Sequence, residues 1–178
     1  EVTSSDEILI NLISKSGTTT ETITNFEYIM SYLGDLEGIE ERVVVTTEEH
    51  SKLWDEAEKK GYSLLKHSNV GGRFSVMSSV GQFPLLMTRV NVTALLSDAR
   101  DIVRHCTDTH IEKNISLLSA SIMYPHYKNG IHINDSFFFN EEMESIGKWY
   151  RQLVGESIGK EKDVDGNEIR TGILPTVS

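Results

Sequence analysis

The chain has 178 residues, of which 38% are apolar and 25% charged, with 3 prolines and 13 glycines, a balance that excludes a collagen-like, low-complexity or disordered polypeptide. One cysteine, Cys106, excludes a disulfide-stapled scaffold, and no apolar run or charged leader suggests a membrane span or a secretory signal. Lysine and arginine number 17 against 27 acidic residues, a formal charge of −10 that argues against a broad nucleic-acid footprint.

In chain order, Ile8 to Ile13 is a nearly unbroken apolar run, the pattern of a strand covered on both faces. SKSGTTTET follows, and then Ile23, Phe26, Met30 and Leu33 at helical spacing. Arg42 to Thr46 reads as a second, β-branched strand. A helix over about Glu48 to Lys60 comes next, closed by Gly61, and a third strand over Tyr62 to Leu65. Strands alternating with helices predict βαβ units and a mostly parallel sheet. From about residue 77 the pattern turns helical. Asn91 is placed to cap a helix bearing Val92, Leu95, Leu96, Ala99, Ile102 and Val103, and another helix is predicted over about Asp108 to Tyr127. Ser136 to Phe139 reads as a buried strand, a further helix runs from about Glu141, and Asp165-Gly166 marks a hairpin or surface loop. The first domain boundary is expected near 105–130.

Ser14 to Thr22 carries the densest chemistry. Six hydroxyls crowd one turn between a strand and a helix, where an α/β sheet presents its ligand crevice. Gly17 permits a tight turn, the helix start supplies free N–H groups and partial positive charge, and Lys15 is the nearby cation. This combination suits a phosphate dianion. Thr18 and Glu21 also fit a T-x-x-E capping box, and the two readings are compatible. GESIGK at Gly155 to Lys160 is one residue short of a Walker A loop and is followed by Glu161, so ATP binding by that route is rejected.

Three stretches together resemble the phosphoglucose isomerase family, which is built from two sugar isomerase (SIS) domains: ISKSGTTTET at Ile13 to Thr22, VGGRFSVMSSVG at Val70 to Gly81, and WYRQLVGESIGK at Trp149 to Lys160. SKSGT alone indicates only some SIS domain; VGGRFS and GES-x-GK are narrower. The resemblance implies a three-layer αβα, SIS-type parallel sheet, with most of a first SIS domain over residues 1–120 and the opening of a second over 121–178. It implies interconversion of glucose 6-phosphate and fructose 6-phosphate through an enediol, in glycolysis and gluconeogenesis, with no metal or organic cofactor. Ser14, Lys15, Ser16, Gly17, Thr18 and Thr19 would bind the substrate phosphate. Glu156 would be the base that moves the proton between C1 and C2, Gln152 would contact the sugar, and Arg73 would stabilise the enediolate charge.

The family also has a glycine-serine loop upstream, a histidine beyond GES-x-GK and a lysine near the C-terminus, none with a counterpart here. The six histidines, His50, His67, His105, His110, His126 and His132, all precede Glu156 and read as ordinary surface or partly buried residues. No zinc or calcium pattern is complete. Cys106, Trp54, Trp149 and the SFFF segment read as core. The family is usually dimeric and cytoplasmic, and the resemblance implies no nucleic-acid or membrane partner. Its members are more than twice this length, so the chain matches an internal segment, expected to show exposed sheet edges and little or no activity alone. Two other readings stay open: a non-catalytic sugar-phosphate binding SIS module, and another SIS isomerase acting on phosphomannose or an amino-sugar phosphate.

Overall fold

The computed structural model describes residues 4–178. They form two compact units, one ending at Val92 and the other spanning Thr93–Ser178.

The first unit is built on three parallel strands, β1 (Ile10–Ile13), β2 (Val43–Thr47) and β3 (Ser63–Lys66), which neighbour one another in sequence order. The crossovers are α1 (Thr20–Leu33) and α2 (Lys52–Lys60). Every residue of β2 is buried, as a β-branched run at the centre of a sheet should be. β1 is only partly covered, because it is an edge of this three-stranded sheet. Strand alternation sends Leu12, Val43 and Val45 to one side, where they meet Phe26 of α1, Leu53 and Ala57 of α2, and Tyr62. The Phe26 and Tyr62 rings meet edge to face with centroids 6.0 Å apart. At the start of α2, Ser51 Oγ accepts from Trp54 N–H at 3.1 Å; at its end, Gly61 turns left-handed as anticipated. After β3 a 3-10 turn, Gly72–Met77, leads into α3 (Ser79–Met87).

The second unit contains α4 (from Val92 at the boundary to Cys106), α5 (Ile115–Lys128), β4 (Ile133–Ser136), α6 (Glu144–Ile158), β5 (Lys160–Lys162), β6 (Glu168–Thr171) and β7 (Leu174–Val177). β4 pairs with β7 in parallel, and β5 with β6 as an antiparallel hairpin through Asp165-Gly166. Parallel strands in both units fit the α/β class expected.

Several details of this unit differ from the sequence reading. The helix expected from Asp108 begins at Ile115, because Asn114 stops the chain there: its Oδ1 accepts from Leu117 N–H at 2.9 Å while its Nδ2 donates to the carbonyls of Cys106 and Asp108. The strand expected at Ser136 to Phe139 lies three residues earlier, on the more polar INDS, because β7 supplies backbone partners there. The phenylalanines leave the strand: Phe138 packs on Gly147 of α6, whereas Phe137 and Phe139 are exposed. Trp149, read as core, is 41% exposed. Finally, the segment from Glu141 opens as a 3-10 turn, Glu141–Met143, before α6 begins.

Candidate active site

The three strands of the first unit release their chains at one edge of the sheet, the carboxyl edge where α/β proteins bind ligands. Ser14 to Thr19 leaves β1, Glu48 leaves β2, and His67 to Asn69 leaves β3. Backbone hydrogen bonds tie the first loop to its neighbour: Ser14 N–H donates to Thr46 O at 3.1 Å and Glu48 N–H to Lys15 O at 3.1 Å. The buried Thr47 hydroxyl donates to Lys15 O at 3.3 Å and shares a hydrogen bond with Ser51 Oγ. His67 N–H donates to Thr47 O at 2.8 Å, which joins the third strand end to the second.

Within the loop the hydroxyls pair with one another. Ser14 Oγ and Thr19 Oγ1 are 3.0 Å apart, and Ser16 Oγ and Thr18 Oγ1 are 2.8 Å apart. Thr19 is the N-cap residue of α1, yet no side chain caps the helix, so the capping box anticipated for Thr18 and Glu21 does not form. The first-turn N–H groups and their partial positive charge therefore face the loop uncapped. Gly17 has φ +69°, and a Cβ there would stand 2.8 Å from Leu53 Cβ and 3.0 Å from Ser51 Oγ, so the loop is wedged against the start of α2. Lys15 Nζ donates to Asn69 Oδ1 at 3.0 Å and lies 3.7 Å from Glu48 Oε1. That contact brings the SKSGT loop to the residue preceding VGGRFS.

Arg73 sits in the Gly72–Met77 turn, its guanidinium 4.7 Å from the Phe74 ring centroid. The buried Ser75 hydroxyl closes the turn on Gly72 O at 2.6 Å, and Ser79 Oγ ties the segment to Lys66 O at 2.6 Å. Next door, a hydrogen bond from the Lys66 ammonium holds the Glu49 carboxyl below the usual range.

Gln152 and Glu156 belong to the second unit. α6 continues through both, so their spacing of four puts them on one face, and Gln152 Nε2 donates to Glu156 Oε1 at 3.0 Å. Lys160 Nζ donates to Glu156 O at 2.9 Å, meeting a carbonyl left open by the helix end. The structure thus gathers Ser14 to Thr19 at one sheet edge, links Lys15 to the VGGRFS turn through Asn69, and pairs Gln152 with Glu156.

Sequence reading missed Thr47, Glu48 and Asn69. The only signal for Asn69 was its position directly before VGGRFS; for the other two it was their position at the end of a β-branched run. His67, read as surface or partly buried, is buried, with Nδ1 2.6 Å from Ser68 O. Among the described residues no group of three or more His, Cys, Asp or Glu side chains is placed to hold a metal.

Comparison with known proteins agrees with these motifs. The chain is 38% identical to a glucose-6-phosphate isomerase of Methanocaldococcus jannaschii over 97% of its own length and 41% of the relative's. It is 33% identical to the Campylobacter jejuni glucose-6-phosphate isomerase over 96% of its length and 40% of that protein's. The crystal structure of a glucose-6-phosphate isomerase from Chlamydia trachomatis superposes with a TM-score of 0.81 at 27% identity, covering 95% of this chain and 34% of that one. The chain therefore spans about two fifths of the length of the curated relatives it matches. The phosphoglucose isomerase family matches residues 2–175, nearly end to end, and with SKSGT, VGGRFS and GES-x-GK all inside that span the chain belongs to this family.

Proposed function

We propose that the polypeptide carrying this chain interconverts glucose 6-phosphate and fructose 6-phosphate, with residues of this chain supplying phosphate binding and the base. The observation that carries this reading is the Ser14 to Thr19 loop: paired hydroxyls, one lysine and an uncapped helix start at the carboxyl edge of a parallel sheet. Those groups suit a phosphate dianion.

In this reading the Glu156 carboxylate takes the proton from C2 of open-chain glucose 6-phosphate. The C–H electron pair becomes the C1–C2 double bond of a cis-enediolate, and the carbonyl oxygen takes up the negative charge. Arg73 stabilises that charge. The O2 hydroxyl proton passes to O1, the C2–O bond becomes the new carbonyl, and return of the carbon-bound proton to C1 gives fructose 6-phosphate. Gln152, donating to Glu156 Oε1, orients the carboxylate for proton transfer and contacts the sugar. Residues 1–120 form most of one SIS domain and 121–178 open a second, and the complete enzyme is a cytoplasmic homodimer. Supporting these readings are the family match and the absence, among the described residues, of a helix long and apolar enough to cross a membrane.

The test is a coupled isomerase assay on the full-length polypeptide with Glu156→Gln. The expected result is a loss of kcat of about 10²- to 10⁴-fold with modest change in KM. Full turnover in that variant overturns the assignment of Glu156. Parallel assays with mannose 6-phosphate and glucosamine 6-phosphate set the specificity among SIS isomerases. Binding of fructose 6-phosphate without turnover in the wild-type full-length polypeptide supports the non-catalytic module instead.

A further inference from the structure

The cation of the candidate phosphate loop is already engaged. Lys15 Nζ is 3.7 Å from Glu48 Oε1 and 3.0 Å from Asn69 Oδ1, and the Lys15 and Glu48 side chains are 41% and 44% exposed. Glu48 is fixed to the loop through its backbone, since its own N–H and the Thr47 hydroxyl both donate to the Lys15 carbonyl. The neighbouring Lys66 is bonded to Glu49 at 2.5 Å and does not neutralise Glu48. Every other side chain from Ser14 to Thr19 is neutral. A dianion entering this loop must therefore share Lys15 with a carboxylate and approach a like charge.

Resting on the reading of Ser14 to Thr19 as a phosphate site, we propose that Glu48 is a positioning residue that acts through Lys15 to hold phosphate affinity down. Inorganic phosphate, which has only the loop to bind, then occupies it weakly. A sugar phosphate keeps its remaining contacts and still binds. Asn69 Oδ1 also accepts from Lys15, a second contact that keeps the lysine beside the loop.

The probe is inorganic phosphate, measured by calorimetry and as a competitive inhibitor of the full-length polypeptide at fixed ionic strength. Glu48→Gln is expected to tighten phosphate about two- to fivefold, the span open to an exposed ion pair. KM for fructose 6-phosphate falls by a similar factor while kcat does not rise. Glu48→Ala gives the same gain, separating charge from shape; both positions are half exposed, so neither change hollows a core. In a Lys15→Gln background the gain from Glu48→Gln shrinks by at least half. Unchanged or weaker phosphate binding in both Glu48 variants overturns the proposal, as does an undiminished gain without Lys15. If wild-type protein binds no phosphate and Ser16→Ala and Thr18→Val leave KM unchanged, the loop reading itself fails and the proposal with it.

Discussion

Gly17 shows how closely one residue is constrained. Its φ of +69° already disfavours an L side chain, and a Cβ would overlap Leu53 Cβ at 2.8 Å. Gly17→Ala is expected to destabilise the first unit by about 1–3 kcal/mol in denaturant melts and to weaken phosphate binding in the same variant. Asp135 offers a pH-dependent counterpart in the second unit. Hydrogen bonds from Ser178 Oγ at 2.6 Å and Thr176 Oγ1 at 2.5 Å push its carboxyl below the usual aspartate range and clip β4 to β7. A depressed folded-state pKa stabilises above the ordinary value and is lost as pH falls through the folded one. Acid titration of Asp135 followed by carboxyl NMR should therefore show a midpoint below that of a free aspartate, returning toward it in Ser178→Ala. The residues of the candidate site were legible in SKSGT, VGGRFS and GES-x-GK. The contacts that hold them were not, because Thr47, Glu48 and Asn69 reach the loop only after three strands align.

At the scale of elements, the buried runs and the chain-terminating residues were readable. Val43 to Val45 announced a β-branched strand, Gly61 closed α2, and Asp165-Gly166 marked a turn that proves to be a hairpin; α2 itself starts at Lys52 behind the Ser51 cap, four residues later than the Glu48 expected. Ser51→Ala removes the acceptor of Trp54 N–H and a partner of Thr47, and is expected to cost about 1 kcal/mol in thermal or urea melts. The polar strand β4 was not readable, since INDS has no strand signature of its own and owes its conformation to β7, about forty residues further on. The aromatic run beside it misled for the same reason: Phe138 finds its place against a helix. A Cβ on Gly147 would stand 2.4 Å from Phe138 Cε2 and 2.8 Å from Val177 Cγ1. Gly147→Ala is expected to force the ring aside at a cost of about 1–3 kcal/mol to the second unit, measured by denaturation, despite alanine's better helix propensity.

For the whole molecule, a formal charge of −10 does not prevent anion binding when the donors are local dipoles and hydroxyls with one lysine. The proposed anion site is a product of folding. The loop is pinned by groups from the ends of β2 and β3, so an unfolded chain has no equivalent of it. Any phosphate-bearing ligand of the loop then draws the folding equilibrium toward the native state by mass action, by about 2.7 kcal/mol at a hundred times its Kd. Melting temperature should rise with the logarithm of fructose 6-phosphate concentration, and flat melts across that titration would contradict ligand binding at the loop. With the loop as the proposed sugar-phosphate site, ligand supply becomes a factor in protein lifetime: when such ligands run low, more of the chain is open to proteases, and its abundance falls with theirs.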